Sequence, residues 1–223
     1  MKNTQDNITS SKSHQRRCTL RDWLGWINVR TRFLLEVNER VKVILIAWGS
    51  ASWKSEIVTR HIEQTFKGKI AKITMDDYYF WKTYMQDQAR KWRHLSWDEP
   101  GALDLELLNK HAKELKAGKV IEKPIYSMKL SERCEMEKIE PNHIILIEWL
   151  FPLASPMYET WDLNIFVESD TEVRLSRRIA RDTLRTWQTP LEIEEYFRNT
   201  VEPMHARHIE PTKINAHLII ENN

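Results

Sequence analysis

A short turn of small residues ends an apolar run near residue 50 and is followed by Lys-Ser. Residues 41–55 read VKVILIAWGSASWKS. In the phosphate loop pattern G-x-x-x-x-G-K-[ST], backbone N–H groups cradle a phosphate, the Lys reaches the β and γ oxygens, and the Ser or Thr holds Mg²⁺. Trp48 and Trp53 stand at the two glycine positions of this pattern. The residues predicted to form a triphosphate cradle are Gly49, Ser50, Ala51, Ser52, Trp53, Lys54 and Ser55.

Carboxylates follow two further apolar runs. Asp76 comes directly after KIAKITM, residues 69–75, and Glu148 comes directly after the run 142–147. Open α/β sheets bind ligands at the carboxyl ends of their strands, so these groups should meet the loop at one sheet edge. Phosphoryl transfer needs a triphosphate cradle, Mg²⁺ ligands and a carboxylate that positions or deprotonates the acceptor hydroxyl. The sequence therefore predicts all three parts together.

A predicted helix over residues 174–185 carries arginines at helical spacing. Guanidinium groups match phosphate oxygens in a bidentate way, so this helix could close over the transferred phosphoryl. Arginines three or four residues apart more often form a solvated helix face, and that alternative stays open. The arginines concerned are Arg174, Arg177, Arg178, Arg181 and Arg185.

The other candidate groups also have plain structural interpretations. Lys54-Ser55 alone would suit the start of a surface helix, and Asp76-Asp77 would suit a helix cap. Glu148 would be costly to bury without a partner, which indicates a metal ion or a lysine nearby. His205 and His208 share one predicted helix face without an acidic partner for a metal site, so packing is the expected role of both.

Length and composition favour one intracellular α/β domain. The chain has 223 residues, with 34 Lys and Arg against 32 Asp and Glu, so its net charge of +2 lacks the strong positive charge typical of nucleic-acid binders, and we do not expect DNA or RNA as its main partner. Its two cysteines are too few for a disulfide framework or a four-ligand zinc site, which fits the reducing cytoplasm. No apolar run is long enough to span a membrane, and no signal peptide is expected.

Predicted strands and helices alternate along the chain, which is typical of a doubly wound, mostly parallel sheet in the α/β class. We expect residues 1–18 to be a flexible tail and residues 19–223 to be a single domain. Asp104 should cap a helix that Gly118 ends. The predicted helices cover 19–37, 54–66, 104–115, 174–185 and 190–208; the predicted strands cover 41–47, 69–75, 142–147, 163–167 and 217–220, with a hairpin at 119–139.

Seven blocks together resemble the uridine kinase family of P-loop nucleoside kinases, which is related to phosphoribulokinase. They lie between about residues 41 and 220 and read AWGSASWKS, MDDYY, SWDEPGALDL, GKVIEKPIYS, ILIEWL, IFVESDTEVRLSRRIARD and VEPMHARHIEPTK. The resemblance implies a P-loop nucleoside triphosphate hydrolase fold with a small hairpin and a helical lid insertion at about 174–190. It also implies ATP and Mg²⁺ as cofactors, a small nucleoside substrate, pyrimidine salvage as the setting, and assembly of several copies.

The resemblance also implies roles for individual residues. Lys54 and Ser55 would take the triphosphate and Mg²⁺, and Asp76, near the metal, would be the base for the sugar 5′-hydroxyl. Glu148 resembles the second acidic group of the family near the metal. The residues that match the nucleoside site are Tyr79, Trp97, Asp98 and Tyr126. The residues that match the substrate and lid arginines are Arg178 and Arg181.

Two departures from the family leave the substrate open. Ser131 stands where the family commonly has a His that reads the pyrimidine, and Thr186-Trp187-Gln188 replaces the Arg-Gly-Arg of the lid. A kinase for another small hydroxyl compound, such as a phosphorylated sugar or pantothenate, keeps the chemistry and changes the pocket. A kinase-like fold that no longer catalyses, and acts as a nucleotide sensor or interaction module, is the rival from another class.

Tryptophan replaces glycine at four family positions, namely Trp48, Trp53, Trp149 and Trp187. A Gly codon differs from UGA by one base, and some bacterial lineages read UGA as glycine. We hypothesise that the native protein carries glycine at some or all of these sites. Trp53 itself would lack the backbone freedom of glycine and place an indole in the phosphate cradle, so it predicts weak or absent ATP binding.

Overall fold

The computed structural model describes residues 15–26, 41–52, 55–92, 97, 99–154 and 161–223. In chain order the elements are β1 (Arg16–Thr19), α1 (Leu20–Trp26), β2 (Lys42–Trp48), α2 (Ser55–Thr65), β3 (Ile70–Thr74), α3 (Lys82–Trp92), α4 (Leu105–Lys116), β4 (Ile121–Ser127), β5 (Glu132–Ile139), β6 (Ile144–Trp149), β7 (Leu163–Glu168), α5 (Thr171–Arg185), α6 (Pro190–Tyr196), α7 (Glu202–Met204) and β8 (Leu218–Glu221). No helix in these ranges is long and apolar enough to cross a membrane.

Within the described residues a six-stranded sheet has the strand order β1-β8-β7-β2-β6-β3, and every pairing in it is parallel. Continuous apolar runs such as those of β2 and β6 suit parallel strands that are covered on both faces. The order reverses direction at β2, so the segment after β2 lies at the switch point where such sheets bind ligands. The predicted doubly wound, mostly parallel sheet is confirmed.

Alternate side chains of β2 enter two separate cores. Val43, Leu45 and Ala47 pack in the cluster that includes residues of α3 and α4. Ile44 and Ile46 pack on the opposite face, in the cluster that includes residues of α1 and α2. All five side chains are fully buried. The two layers of helices therefore bury β2 from both faces and fix the point at which the following loop begins.

The hairpin and the cap of α4 match the sequence predictions. β4 and β5 form an antiparallel two-stranded sheet. The Asp104 carboxylate accepts a hydrogen bond from the Leu107 N–H at 3.0 Å, which satisfies one free donor at the start of α4. Gly118 has φ +77 just after this helix, in the left-handed region that glycine adopts without strain.

Four parts of the chain differ from the predictions. The helix α3 lies within residues 80–103, for which the sequence predicts no helix. Arg16–Thr19 is an edge strand parallel to β8, because its backbone pairs with residues 218–221, whereas residues 16–18 were expected in the tail and Thr19 at the start of a helix. Within the predicted helix 19–37 the structure has α1, and residues 27–40 lie outside the described ranges. The predicted helix 190–208 is not regular, since π-helical turns occupy Phe197–Val201 and His205–Ile209 on either side of α7. A 3-10 segment then runs over Glu210–Asn215.

Candidate active site

The described part of the phosphate loop is a closed turn after β2. The Ser52 N–H and the Ser52 hydroxyl both donate to the carbonyl oxygen of Gly49, at 3.1 and 2.6 Å. Ala51 has φ 63, a left-handed conformation that favours glycine. Ser55 is the first residue of α2, so a helix N-terminus directly follows the loop. Trp53 and Lys54 lie outside the described residues.

A cavity of about 650 Å³ opens at this edge of the sheet. Ala51 and Ser52 line it from the loop, and Asp76 and Glu148 line it from the ends of β3 and β6. Arginines and other polar residues of α5 and the segment after it form another wall. Among the described residues, the loop, the two carboxylates and the arginines therefore line one cavity, as the sequence predicts.

Asp76 and Asp77 have different surroundings although they are adjacent. The Asp76 Oδ1 atom is buried and accepts no hydrogen bond. Burial, followed by the charges of Asp77 and Glu148, raises the pKa of Asp76 from 3.8 to about 7. Asp77 instead accepts hydrogen bonds from Lys123 Nζ at 2.6 Å and from the Tyr126 N–H at 3.2 Å. Asp76 is thus available for chemistry, whereas Asp77 anchors the hairpin.

The raised pKa of Asp76 predicts a pH profile. Only the ionised carboxylate accepts a proton, so we expect kcat/KM to rise with pH, tenfold per unit at first, and to level off above about pH 7. Steady-state rates between about pH 5.5 and about pH 8.5 test this, because kcat/KM reports ionisations of the free enzyme. Mg-ATP affinity measured across the same range is the control. A flat profile would contradict the assignment of Asp76 as base.

Replacing Asp77 should affect stability rather than catalysis. Its ion pair with Lys123 is buried, with 12% and 6% of the two side chains exposed. Glu137 still contacts Lys123 at 2.8 Å, so we expect Asp77→Asn to lower the free energy of unfolding by about 2–3 kcal/mol. Urea unfolding measures this, with the more exposed Glu137→Gln as the matched control, at less than about 1 kcal/mol. A loss of turnover as large as that of Asp76→Asn would overturn the division of roles.

Glu148 has the lysine neighbour that its burial predicted. Lys72 Nζ lies 2.7 Å from Glu148 Oε1, and the Thr59 hydroxyl donates to Oε2 at 2.6 Å. Burial alone would lower the pKa of Lys72, but the hydrogen bond with Glu148 helps to raise it above its ordinary value. Lys72 and Thr59 therefore hold the Glu148 side chain at the cavity wall.

The arginines of α5 that line the cavity differ in whether another side chain contacts them. Arg178 donates to the Ser50 hydroxyl at 2.9 Å, which ties α5 to the phosphate loop. Asp182 contacts Arg178 at 3.2 Å and Arg181 at 2.6 Å, so one carboxylate orients both guanidinium groups. Arg185 also lines the cavity and has no partner in the described part of the chain. The solvated-face interpretation of the run is wrong for Arg178 and Arg181, which are largely buried.

Three of the four predicted nucleoside-binding residues come together. The Tyr79 ring centroid lies 5.6 Å from that of Trp97 and 5.5 Å from that of Tyr126. The Tyr79 hydroxyl donates to the Trp97 carbonyl oxygen at 3.0 Å. Burial raises the pKa of the Tyr126 hydroxyl, against the opposing effect of its hydrogen bond with Ser131. Asp98, the fourth predicted residue, lies outside the described residues.

The phosphoribulokinase / uridine kinase family model matches residues 43–223, which include the loop, both carboxylates, the arginines and the aromatic group. The chain belongs to this family. It is similar to a uridine kinase from Bacillus cytotoxicus, with 37% identity over 180 residues, 80% of this chain and 84% of the relative. It is also similar to a uridine kinase from Ligilactobacillus salivarius, with 34% identity over the same shares of each chain.

Solved structures support the fold. Phosphoribulokinase from Rhodobacter spheroides superposes with a TM-score of 0.60 at 14% identity, over 80% of this chain and 69% of that chain. D-glycerate 3-kinase from Cryptococcus neoformans gives a TM-score of 0.61 at 12% identity, over 83% and 86%. At these identities the likeness shows the fold alone, which is that of P-loop kinases of the phosphoribulokinase / uridine kinase family.

The tryptophans that replace family glycines lie in different environments. Trp48 ends β2, is half-buried, lines the cavity and packs against both core clusters. Trp187 is fully exposed on the segment after α5. The side chain of Trp149 and all of Trp53 lie outside what the structure describes. Trp187 therefore offers an exposed site at which replacement should leave the core unchanged.

Several residues of the site had no role in the sequence prediction. Thr59 and Lys72 hold Glu148, and Asp182 holds two arginines. Asp182 lies four residues after Arg178, which is the spacing of a helical ion pair and is a signal present in the sequence. Thr59 and Lys72 reach Glu148 only through the pairing of β3 with β6 and the packing of α2, which no local pattern shows.

Proposed function

We propose that this chain is an ATP-dependent kinase that phosphorylates the 5′-hydroxyl of a nucleoside of the uridine or cytidine type. The proposal depends mainly on the surroundings of Asp76. Its carboxylate has a buried oxygen without a hydrogen bond and lies in the same cavity as the phosphate loop and Arg178. The family relatives named uridine kinase support the nucleoside as acceptor.

Each group of residues would have a separate role in the reaction. The carboxylate of Asp76 would accept the proton of the 5′-hydroxyl as the hydroxyl oxygen attacks the γ-phosphorus of ATP, the bond from that phosphorus to the β,γ-bridging oxygen breaks, and ADP leaves. Arg178 and Arg181 would stabilise negative charge on the transferred phosphoryl, because their guanidinium groups are already oriented by Asp182. Tyr79, Trp97 and Tyr126 would hold the base by stacking or edge contacts.

Magnesium is part of the proposal. Among the described residues no three His, Cys, Asp or Glu side chains cluster as a metal site. Mg²⁺ usually takes one or two carboxylates together with water and substrate phosphates, and Asp76 offers an unpartnered oxygen beside Glu148. The carboxylates of Asp76 and Glu148 and the hydroxyl of Ser55 would hold the ion. Bound there, it would neutralise charge on the phosphates.

The cellular setting is likewise proposed. Cys18 and Cys134 are free thiols, which fits the reducing cytoplasm that we infer for the chain. The assembly of several copies stays a prediction that sedimentation or light scattering would test.

Binding and turnover are tested separately. Calorimetric titration with Mg-ATP is made on the chain with tryptophan at the four family glycine positions and on the four-glycine chain. The four-glycine chain is defined by Trp48→Gly, Trp53→Gly, Trp149→Gly and Trp187→Gly. The chain that binds is then screened for ATP consumption with nucleosides and other small alcohols. We expect ADP formation with uridine or cytidine. Binding of Mg-ATP without consumption on any acceptor would favour the non-catalytic alternative.

A further inference from the structure

Two buried side chains lie directly against Gly49, the first small residue of the phosphate loop. Arg174 is 2% exposed and His205 is 7% exposed. A Cβ atom built on Gly49 would lie 2.8 Å from His205 Cε1 and 3.0 Å from Arg174 Cδ. Both distances are shorter than normal carbon contacts, so not even a methyl group fits between the loop and these residues.

Arg174 is fixed from several directions. Its Nη2 atom lies 2.6 Å from Glu202 Oε2, and its Nε–H donates to the Ser169 carbonyl oxygen at 3.3 Å. Its guanidinium lies 5.6 Å from the centroid of the Phe197 ring. The Nη1 atom is buried without a hydrogen bond. Arg174 therefore connects the end of β7, the segment after α6 and the phosphate loop.

His205, which contacts Gly49, lies in a stretch of unusual backbone. It begins the π-helical turn His205–Ile209, and Phe197 begins the other, Phe197–Val201. π-helical turns inside helices often occur at functional sites because they re-aim side chains. His205 Nε2 lies 3.5 Å from Glu210, and Nδ1 is buried without a partner. Burial, then the charge of Arg174, lowers the pKa of His205 to about 4, so a neutral ring meets the loop.

The position of Gly49 determines the rest of the turn. Its carbonyl oxygen accepts both hydrogen bonds from Ser52, and the next residue, Ser50, accepts from Arg178. A displacement of Gly49 would therefore move the backbone N–H groups that should point at the phosphates. Displacements of about 1 Å in a positioned site can cost about 100-fold in rate.

We propose that Arg174 and His205 are positioning residues that set the phosphate loop for the triphosphate by packing against Gly49. The inference rests on the proposed ATP-dependent function and adds two residues to it. Neither residue needs to touch ATP. Because the contact is steric, its effect should depend on the combined size of residues 49 and 205 rather than on either residue alone.

A size-exchange experiment tests this in the chain that binds Mg-ATP. We expect Gly49→Ala to raise the Kd and KM for ATP about tenfold or more. In Gly49→Ala/His205→Ala the space left by the imidazole accepts the methyl group, so most of that loss should be recovered. The acceptor KM should change little in either variant. His205→Phe, which enlarges the same contact from the other side, should also raise the KM for ATP and serves if Gly49→Ala does not fold.

Ile209→Ala is the matched control, because Ile209 is buried in the same π-helical turn as His205. It should lower thermal stability without changing the KM for ATP. Unchanged ATP affinity in Gly49→Ala and in His205→Phe, or independent effects in the double variant, would overturn the inference. Failure of the parent chains to bind Mg-ATP would instead reject the proposed function, so the two failures are distinguishable.

Discussion

Asp76→Asn is expected to reduce kcat by about 100- to 10,000-fold while lowering Mg-ATP affinity far less, because the phosphate loop, Ser55 and Glu148 remain to hold Mg-ATP. The amide cannot accept the proton of the acceptor hydroxyl, yet its shape preserves the cavity. Single-turnover rates and calorimetric titration with Mg-ATP measure the two effects. Asp77→Asn is the matched control, since it changes the neighbouring carboxylate that holds Lys123. Turnover at the parent rate in Asp76→Asn would refute the role of Asp76.

The same variant should be more stable than the parent above neutral pH. The rise in pKa from 3.8 to about 7 means that ionising Asp76 in the folded chain costs up to about 4 kcal/mol. This cost is absent below the unfolded pKa, grows as pH rises, and is complete above the folded pKa. Urea unfolding should therefore show a gain for Asp76→Asn at pH 8 that disappears near pH 4. Lower stability at pH 8 would contradict the burial of this charge.

The second large effect concerns the tryptophans in the phosphate loop. The four-glycine chain is expected to bind Mg-ATP about 100-fold more tightly than the chain with tryptophan at positions 48, 53, 149 and 187. Glycine at position 53 would restore backbone freedom and remove an indole that competes with phosphate. Trp48 already lies at the cavity wall, so its removal also opens space beside the loop. Calorimetric titration of both chains measures the difference.

Trp187→Gly is the control for this comparison. Its side chain is fully exposed, so we expect a change in stability within about 0.5 kcal/mol and no change in ATP affinity. Equal ATP affinity in the two chains would show that tryptophan is tolerated in the cradle. The intact mass of protein from its native host tests the decoding hypothesis separately, and a mass that agrees with ten Trp would reject it.

The sheet and the cavity could be predicted because their signals are local. A continuous apolar run such as Val43–Ala47 is typical of a strand buried on both faces, and a polar group directly after it must lie at the carboxyl edge. Asp76 and Glu148 were located in this way. The cap at Asp104 was predicted for the same reason, since a side chain that satisfies a nearby N–H leaves a trace in the sequence.

The supporting contacts could not be predicted because they join distant parts of the chain. Asp77 pairs with Lys123 on the hairpin, and nothing near either residue indicates this. His205 was expected to pack, but its contact with Gly49 joins residues far apart in the chain, and the π-helical turn that it begins has no recognised sequence pattern. The helix α3 was missed because its aromatic and charged residues obscure an apolar stripe.

Transfer of a labelled γ-phosphoryl group is the most direct test of the central claim. The chain that binds Mg-ATP is incubated with γ-labelled ATP and uridine or cytidine, and the products are separated and identified. We predict label on the 5′-oxygen of the nucleoside, one ADP for each labelled product, and loss of both in Asp76→Asn. Label that remains on ATP, or that appears only as inorganic phosphate with every nucleoside tested, would contradict a nucleoside kinase.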